Sequence, residues 1–124
     1  MPNFVFLASL NLMLVVSLGA FGAHGLKARV TAEQLAWWHT AVQYQAWHAL
    51  GLLGVGLLLL SQPGLAGAKA AGWLLQAGIL VFSGSLYAMT LGAPRWFGAL
   101  TPLGGLVLIA GWAVLAWATL KIGS

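Results

Sequence analysis

Residues 32–61 read AEQLAWWHTAVQYQAWHALGLLGVGLLLLS, a long segment whose only charged side chain is Glu33. Its second part, Leu52–Leu60, is apolar on every side, whereas a strand of a membrane barrel alternates apolar and polar residues. As an α-helix the segment would extend roughly 45 Å, which exceeds the ~30 Å apolar core of a bilayer. We therefore predict a helix that crosses a membrane and whose first two turns lie at the membrane surface.

The composition of the whole chain points to the same environment. Of its 124 residues, 61% are hydrophobic and 5% are charged, and the mean hydropathy is +0.96. Soluble domains carry about 25% charged residues. The charged residues leave four uncharged stretches, each longer than the roughly 20 residues that a spanning helix needs. The chain is therefore expected to be all-α, an integral membrane four-helix bundle.

Local signals predict helices at about 4–21, 32–61, 68–91 and 102–120. Asn3 is a suitable N-terminal cap for the first helix, and Thr31 with Gln34 forms a capping box before the second. Thr101 is the expected cap of the fourth helix, with Pro102 at its first position.

Glycine and proline are expected to end the first three helices. The segment 22–25, Gly-Ala-His-Gly, is expected to close the first, residues 63–64 the second, and Gly92 with Pro94 the third. The short loops that result force neighbouring helices to be antiparallel. Residues 1–124 are thus expected to form one four-span transmembrane domain.

The cationic residues bear on orientation. Lys27, Arg29 and Arg95 fall on one side of the predicted membrane, and Lys69 and Lys121 fall on the other. The positive-inside rule then favours cytoplasmic loops after the first and third helices.

The first helix could also be read as a cleaved signal peptide, because small residues at 19, 20, 22 and 23 resemble a cleavage site. A signal peptide requires a positively charged residue before its apolar run, and no Lys or Arg precedes the run here. We therefore expect this helix to remain in the protein as a membrane span.

Few residues offer catalytic or metal chemistry. The chain has no Cys and no acidic residue except Glu33, so paired carboxylates, a Ser-His-acid set and a thiolate site are excluded. The cations are scattered and form no basic stripe, which argues against nucleic acid as a partner. We expect no enzyme activity, no metal and no cofactor; haem or quinone binding through His24 and His48 is a minor alternative.

Polar side chains inside the apolar stretches mark a candidate site. At 100° per residue, Gln34, Tyr44, Gln45 and His48 form one stripe of the second helix, and His39 lies on the opposite face. Such side chains normally face the bundle interior. We predict that the stripe meets polar residues of the third helix in a small inter-helix pocket, with these candidate ligand-binding residues: His24, Tyr44, Gln45, His48, Ser83, Ser85 and Tyr87.

Structural roles for the same residues remain open. His48 could be a neutral side chain hydrogen-bonded to Tyr44, Gln45 or Asn11, and His24 could pack within its own turn. Small residues at helical spacing allow close helix contact in lipid, either within the bundle or in an oligomer interface. These pairs are Ala68/Gly72, Gly84/Ala88, Gly51/Gly54 and Gly104/Gly111.

Several ordered motifs resemble those of the uncharacterised bacterial YgdD-like inner-membrane family, which is related to vertebrate transmembrane protein 256. They are GAFGAHGL at 19–26, WHTAVQYQ at 38–45, HALGL at 48–52, FSGSLY at 82–87, TPLGG at 101–105 and GW at 111–112. The resemblance covers almost the whole chain and implies a multi-pass protein of the bacterial inner membrane. It implies no established activity.

The sequence therefore favours a non-enzymatic membrane protein that is a homo-oligomer or an accessory subunit of other membrane proteins, with the lipid bilayer as its environment. The alternative hypothesis is a dimeric transporter of small molecules or protons in which His48 titrates. No carboxylate is available inside the spans to couple protons, which favours the first hypothesis.

Overall fold

A computed structural model of the chain describes residues 2–120 and 122. Within them the chain forms four long α-helices: α1 (Phe4–Phe21), α2 (Ala32–Ser61), α3 (Ala68–Thr90) and α4 (Leu100–Leu120). A π-helical segment, Gly22–Leu26, follows α1, and a 3-10 helix, Arg95–Ala99, precedes α4. Each long helix is apolar enough to cross a bilayer, so the predicted all-helical membrane bundle is confirmed.

The predicted caps of the first two helices are present. The Asn3 side chain accepts a hydrogen bond from the Phe6 amide at 3.0 Å. The Thr31 hydroxyl accepts from the Gln34 amide, and the Gln34 side chain accepts from the Thr31 amide. Because both ends of this box are occupied, α2 begins where the sequence predicts.

The first α-helix has its predicted bounds, Phe4–Phe21, but two of the roles predicted for residues at helix ends are wrong. The segment 22–25 does not close the first helix, since Gly22 has right-handed helical angles (φ −60°, ψ −43°) and the chain continues as a π-helix to Leu26. Thr101 does not cap the fourth helix. The 3-10 helix leads directly into α4 at Leu100, so no free helix terminus needs a side-chain cap there, and the Thr101 hydroxyl contacts Ser85 instead.

Each helix packs along its neighbour in sequence, and α2 and α3 form the centre of the bundle. The main apolar core joins all four helices through Phe4 of α1, Leu52 of α2, Leu75 of α3 and Leu108 of α4. The outer helices α1 and α4 present mostly large apolar side chains on their exposed surfaces. The bundle thus presents the apolar outer surface that a bilayer requires.

Most of the small residues singled out in the sequence allow close contact inside the bundle. A Cβ at Gly104 would lie 2.8 Å from the Phe82 Cα and closer still to its backbone nitrogen, so α3 and α4 nearly touch there. Side chains added at Gly72 or Gly51 would overlap aromatic rings of neighbouring helices. Gly54 and Gly84 differ, because nothing lies within 4 Å of a Cβ at either position.

The close contact at Gly104 can be tested by comparison with the adjacent glycine, Gly105. We expect Gly104→Ala to push α4 away from the α3 backbone and to lower the free energy of unfolding by about 1–3 kcal/mol. Gly105→Ala is the matched control, since its Cβ would make ordinary contacts at 3.8 Å with the Phe82 ring. Reversible unfolding in detergent measures both; equal stability of the two variants would contradict the close approach.

Candidate functional site

A chain of hydrogen bonds runs through the middle of the bundle. The Tyr87 hydroxyl donates to Gln45 Oε1 at 2.7 Å, and Gln45 Nε2 donates to Asn11 Oδ1 at 3.1 Å. Asn11 Nδ2 in turn donates to Gln76 Oε1 at 2.9 Å. This polar network, consisting of Asn11, Gln45, Gln76 and Tyr87, therefore connects α3 to α2, α2 to α1, and α1 back to α3.

The buried members of the polar network have hydrogen-bond partners within it or in the backbone. Asn11 and Gln45 are buried, and Asn11 Nδ2 also reaches the Leu7 carbonyl at 2.9 Å. Among the described residues, no enclosed side-chain nitrogen or oxygen lacks a partner. An unpaired amide would be costly because lipid offers no hydrogen bonds. The network is therefore suited to holding three helices in register.

Hydroxyl groups of α3 bind the neighbouring helices. Ser83 donates to the Ala41 carbonyl of α2 at 2.8 Å. Ser85 lies 2.6 Å from the Thr101 hydroxyl of α4 and also donates to its own helix at the Phe82 carbonyl. These two predicted site residues thus tie α3 to both of its neighbours.

His48 and Tyr44 lie on a different side of α2 from Gln45. His48 Nδ1 lies 2.6 Å from the Tyr44 carbonyl oxygen and donates to it, because a carbonyl oxygen can only accept. The two rings are nearly parallel, with centroids 5.9 Å apart, and the Trp112 ring of α4 lies at the same distance from His48. His48 is 7% exposed.

The seven predicted site residues therefore do not form one pocket. Adjacent helix positions differ by 100°. Gln45 bonds to side chains of α1 and α3, whereas Tyr44 packs on Phe82 of α3 and His48 lies beside Trp112 of α4. His24 is exposed on the π-helical segment and contributes to neither group, and His39 is exposed on the opposite face of α2, as predicted. Open clefts of about 340 to 490 Å³, formed by described residues near the helix ends, are lined by other side chains.

Sequence reasoning missed two members of the polar network, Asn11 and Gln76, as site residues. A signal was available, because each is the only carboxamide within its apolar helix. It also missed Trp38, which is buried and donates from its indole nitrogen to the Leu18 carbonyl of α1 at 2.8 Å. Gly22 makes room for this ring, since a Cβ there would lie 2.6 Å from Trp38 Cδ1.

The sole acidic residue lies outside the polar groups of the core. Glu33 Oε1 is 3.3 Å from the Arg95 guanidinium, and both side chains are mostly exposed. Arg95 also lies over the Trp37 ring at 5.8 Å. Exposed pairs of this kind are worth about 0–1 kcal/mol, so this contact orders a helix end without holding the bundle together.

Four apolar helices tied by a self-satisfied polar core define a multi-pass integral membrane protein. The chain belongs to the family described as a protein of unknown function (DUF423), which matches residues 18–105. It is 45% identical to the UPF0382 membrane protein YwdK of Bacillus subtilis and 47% identical to the UPF0382 membrane protein SERP0230 of Staphylococcus epidermidis. Both alignments extend over 121 residues and 98% of each chain.

These relatives confirm the YgdD-like family expected from the sequence motifs, and they are bacterial membrane proteins. A further relative, the UPF0382 membrane protein SAB0533 of Staphylococcus aureus, is 43% identical over 121 residues and 98% of each chain. No solved structure matches the chain significantly.

The coupling within the polar network can be measured by a double-mutant cycle. Tyr87→Phe removes only the hydroxyl that donates to Gln45, and we expect it to cost about 0.6–1.7 kcal/mol of unfolding free energy. In a Gln45→Leu background the same change should cost almost nothing, because the acceptor is gone. Ser17→Ala is the control, since that exposed hydroxyl bonds only to its own helix. Additive effects of the two substitutions would contradict the network.

Proposed function

We propose that this protein is a non-enzymatic component of the membrane that works as a homo-oligomer assembled through an exposed face of α2. The observation that carries the proposal is Gln43. Its carboxamide lies eleven residues after Ala32 in a membrane-spanning helix, is exposed, and has no hydrogen-bond partner among the described residues. A carboxamide facing lipid is unfavourable unless another chain supplies its partner.

Gln43 belongs to a regular pattern along α2. Exposed residues recur at alternating spacings of four and three, which is the spacing of helices that pack side by side in a coiled coil. We call this row the α2 seam; all its members are exposed except the half-buried Thr40. The seam consists of Ala36, Thr40, Gln43, Trp47, Leu50, Gly54, Leu57 and Ser61.

The α2 seam differs in composition from the other exposed surfaces of the bundle. The outward side of α4 carries large apolar residues such as Leu103, Leu106 and Ile109, as lipid contact favours. The seam instead includes a carboxamide at Gln43 and open space at Gly54. Polar and small residues are the ones that promote helix association in membranes.

A second copy of the chain suits the seam because a carboxamide is self-complementary. Each carboxamide has donors and an acceptor, so two Gln43 side chains related by a two-fold axis can bond to each other reciprocally. Gly54 would let the two helices approach closely further along the seam. The alternative is that this chain is an accessory subunit of a different membrane protein. A cross-linking experiment can distinguish the two.

The position of the α2 seam also bears on the hypothesis that the protein is a dimeric transporter using His48. His48 is rotated by about 140° from Gln43 around α2, so a dimer built on the seam leaves His48 away from the partner. The space between the helices of one copy is filled by the apolar core and the polar network. A permeation path through His48 between two copies is therefore disfavoured.

Disulfide cross-linking in native membranes tests the seam, because the chain has no cysteine of its own. We expect Leu50→Cys to give a covalent dimer on mild oxidation, and Ile109→Cys, an equally apolar and exposed position on α4, to give none. Adding Gly54→Leu should abolish the cross-link, whereas Gly84→Leu should not. Equal cross-linking at both positions would contradict the proposal, and a product of another mass would identify a different membrane partner.

A further inference from the structure

His48 has one ring nitrogen that the fold leaves free. Nδ1 is bonded to the Tyr44 carbonyl, and Nε2 has no hydrogen-bond partner among the described residues. Because no enclosed polar side-chain atom in this part of the chain lacks a partner, Nε2 must reach the protein surface. A side chain that is more than nine-tenths buried thus presents one unpaired ring nitrogen outward.

Aromatic side chains lie beside the His48 ring. The Tyr44 ring lies beside His48 and packs on Phe82 with centroids 4.3 Å apart, and Trp112 approaches from α4. Gly51 makes this arrangement possible, since a Cβ there would lie 2.5 Å from Trp112 Cη2 and would displace the ring. Neither the Tyr44 hydroxyl nor the Trp112 indole N–H has a hydrogen-bond partner among the described residues.

The depth of His48 restricts what can reach it. His48 lies sixteen residues from Ala32 and thirteen from Ser61, about 20 Å or more of helix from either end of α2. Phospholipid headgroups stay at the surfaces of the bilayer, so they cannot reach this position. An occupant must dissolve in the acyl-chain region.

We propose that the surface of the bundle at His48, beside Trp112 of α4, binds a membrane-soluble hydroxylated ring of the quinol class. A hydroxyl group of the ligand donates to His48 Nε2, and its ring packs against the aromatic side chains. The oxidised quinone has acceptors only and cannot donate to Nε2, so the reduced form binds more tightly. The site lies on the other side of α2 from Gln43 and does not depend on the proposed oligomer.

The test uses the full-length protein in lipid nanodiscs, with decylubiquinol and decylubiquinone as probes. Nitrogen-15 NMR of labelled histidine reports the hydrogen bond directly, because the Nε2 resonance of a neutral ring moves when it accepts a proton donor. We expect decylubiquinol to shift the His48 resonance alone and decylubiquinone to leave it in place. This measurement on the unsubstituted protein does not depend on whether any variant folds.

Binding affinity provides the second measurement. We expect His48→Phe to weaken decylubiquinol binding by about ten-fold, the factor that a hydrogen bond worth about 1.4 kcal/mol provides. His39→Phe is the matched control, since His39 is exposed on the opposite face of the same helix. An unshifted His48 resonance with saturating quinol, or equal binding by the two variants, would overturn the proposal.

Discussion

The whole structure depends on one constraint: inside a bilayer, a polar group must find its partner within the protein. The network from Tyr87 through Gln45 and Asn11 to Gln76 meets this constraint with side chains of three helices. Exposed hydroxyls at Ser9 and Ser17 meet it differently, by bonding back to carbonyls of their own helix. The positions of α1, α2 and α3 relative to one another follow from where these partners must meet.

Close packing supplies the second part of the stability. The hydrophobic effect does not drive helices together in lipid, so backbone proximity and van der Waals contact must do so. Gly104 against Phe82 and Gly78 against Leu108 bring α4 onto α3, and Gly56 brings α1 onto α2. Glycine is needed at these positions because a side chain would hold the helices apart.

Two sides of α2 carry polar groups that the described part of the chain does not fully pair. Among the described residues, Gln43 has no hydrogen-bond partner, and His48 has an unpaired nitrogen at the surface although most of its ring is buried. The first feature favours a contact between helices of different copies, and the second favours a small ligand within the membrane. Both are consistent with a family of membrane proteins that align with this chain over nearly their full length.

The sequence by itself determined the class of protein, the number of spans and most helix ends, because these depend on composition and on local groups such as Asn3 and the Thr31 box. It also indicated that polar residues of the second and third helices matter. Only the tertiary structure decided their partners: Gln45 bonds to Asn11 and Tyr87, whereas Tyr44 packs on Phe82 of α3 and His48 lies beside Trp112 of α4. Helical spacing gives the direction of a side chain around its own axis, but the rotation and depth of each neighbouring helix follow from packing between residues far apart in the chain.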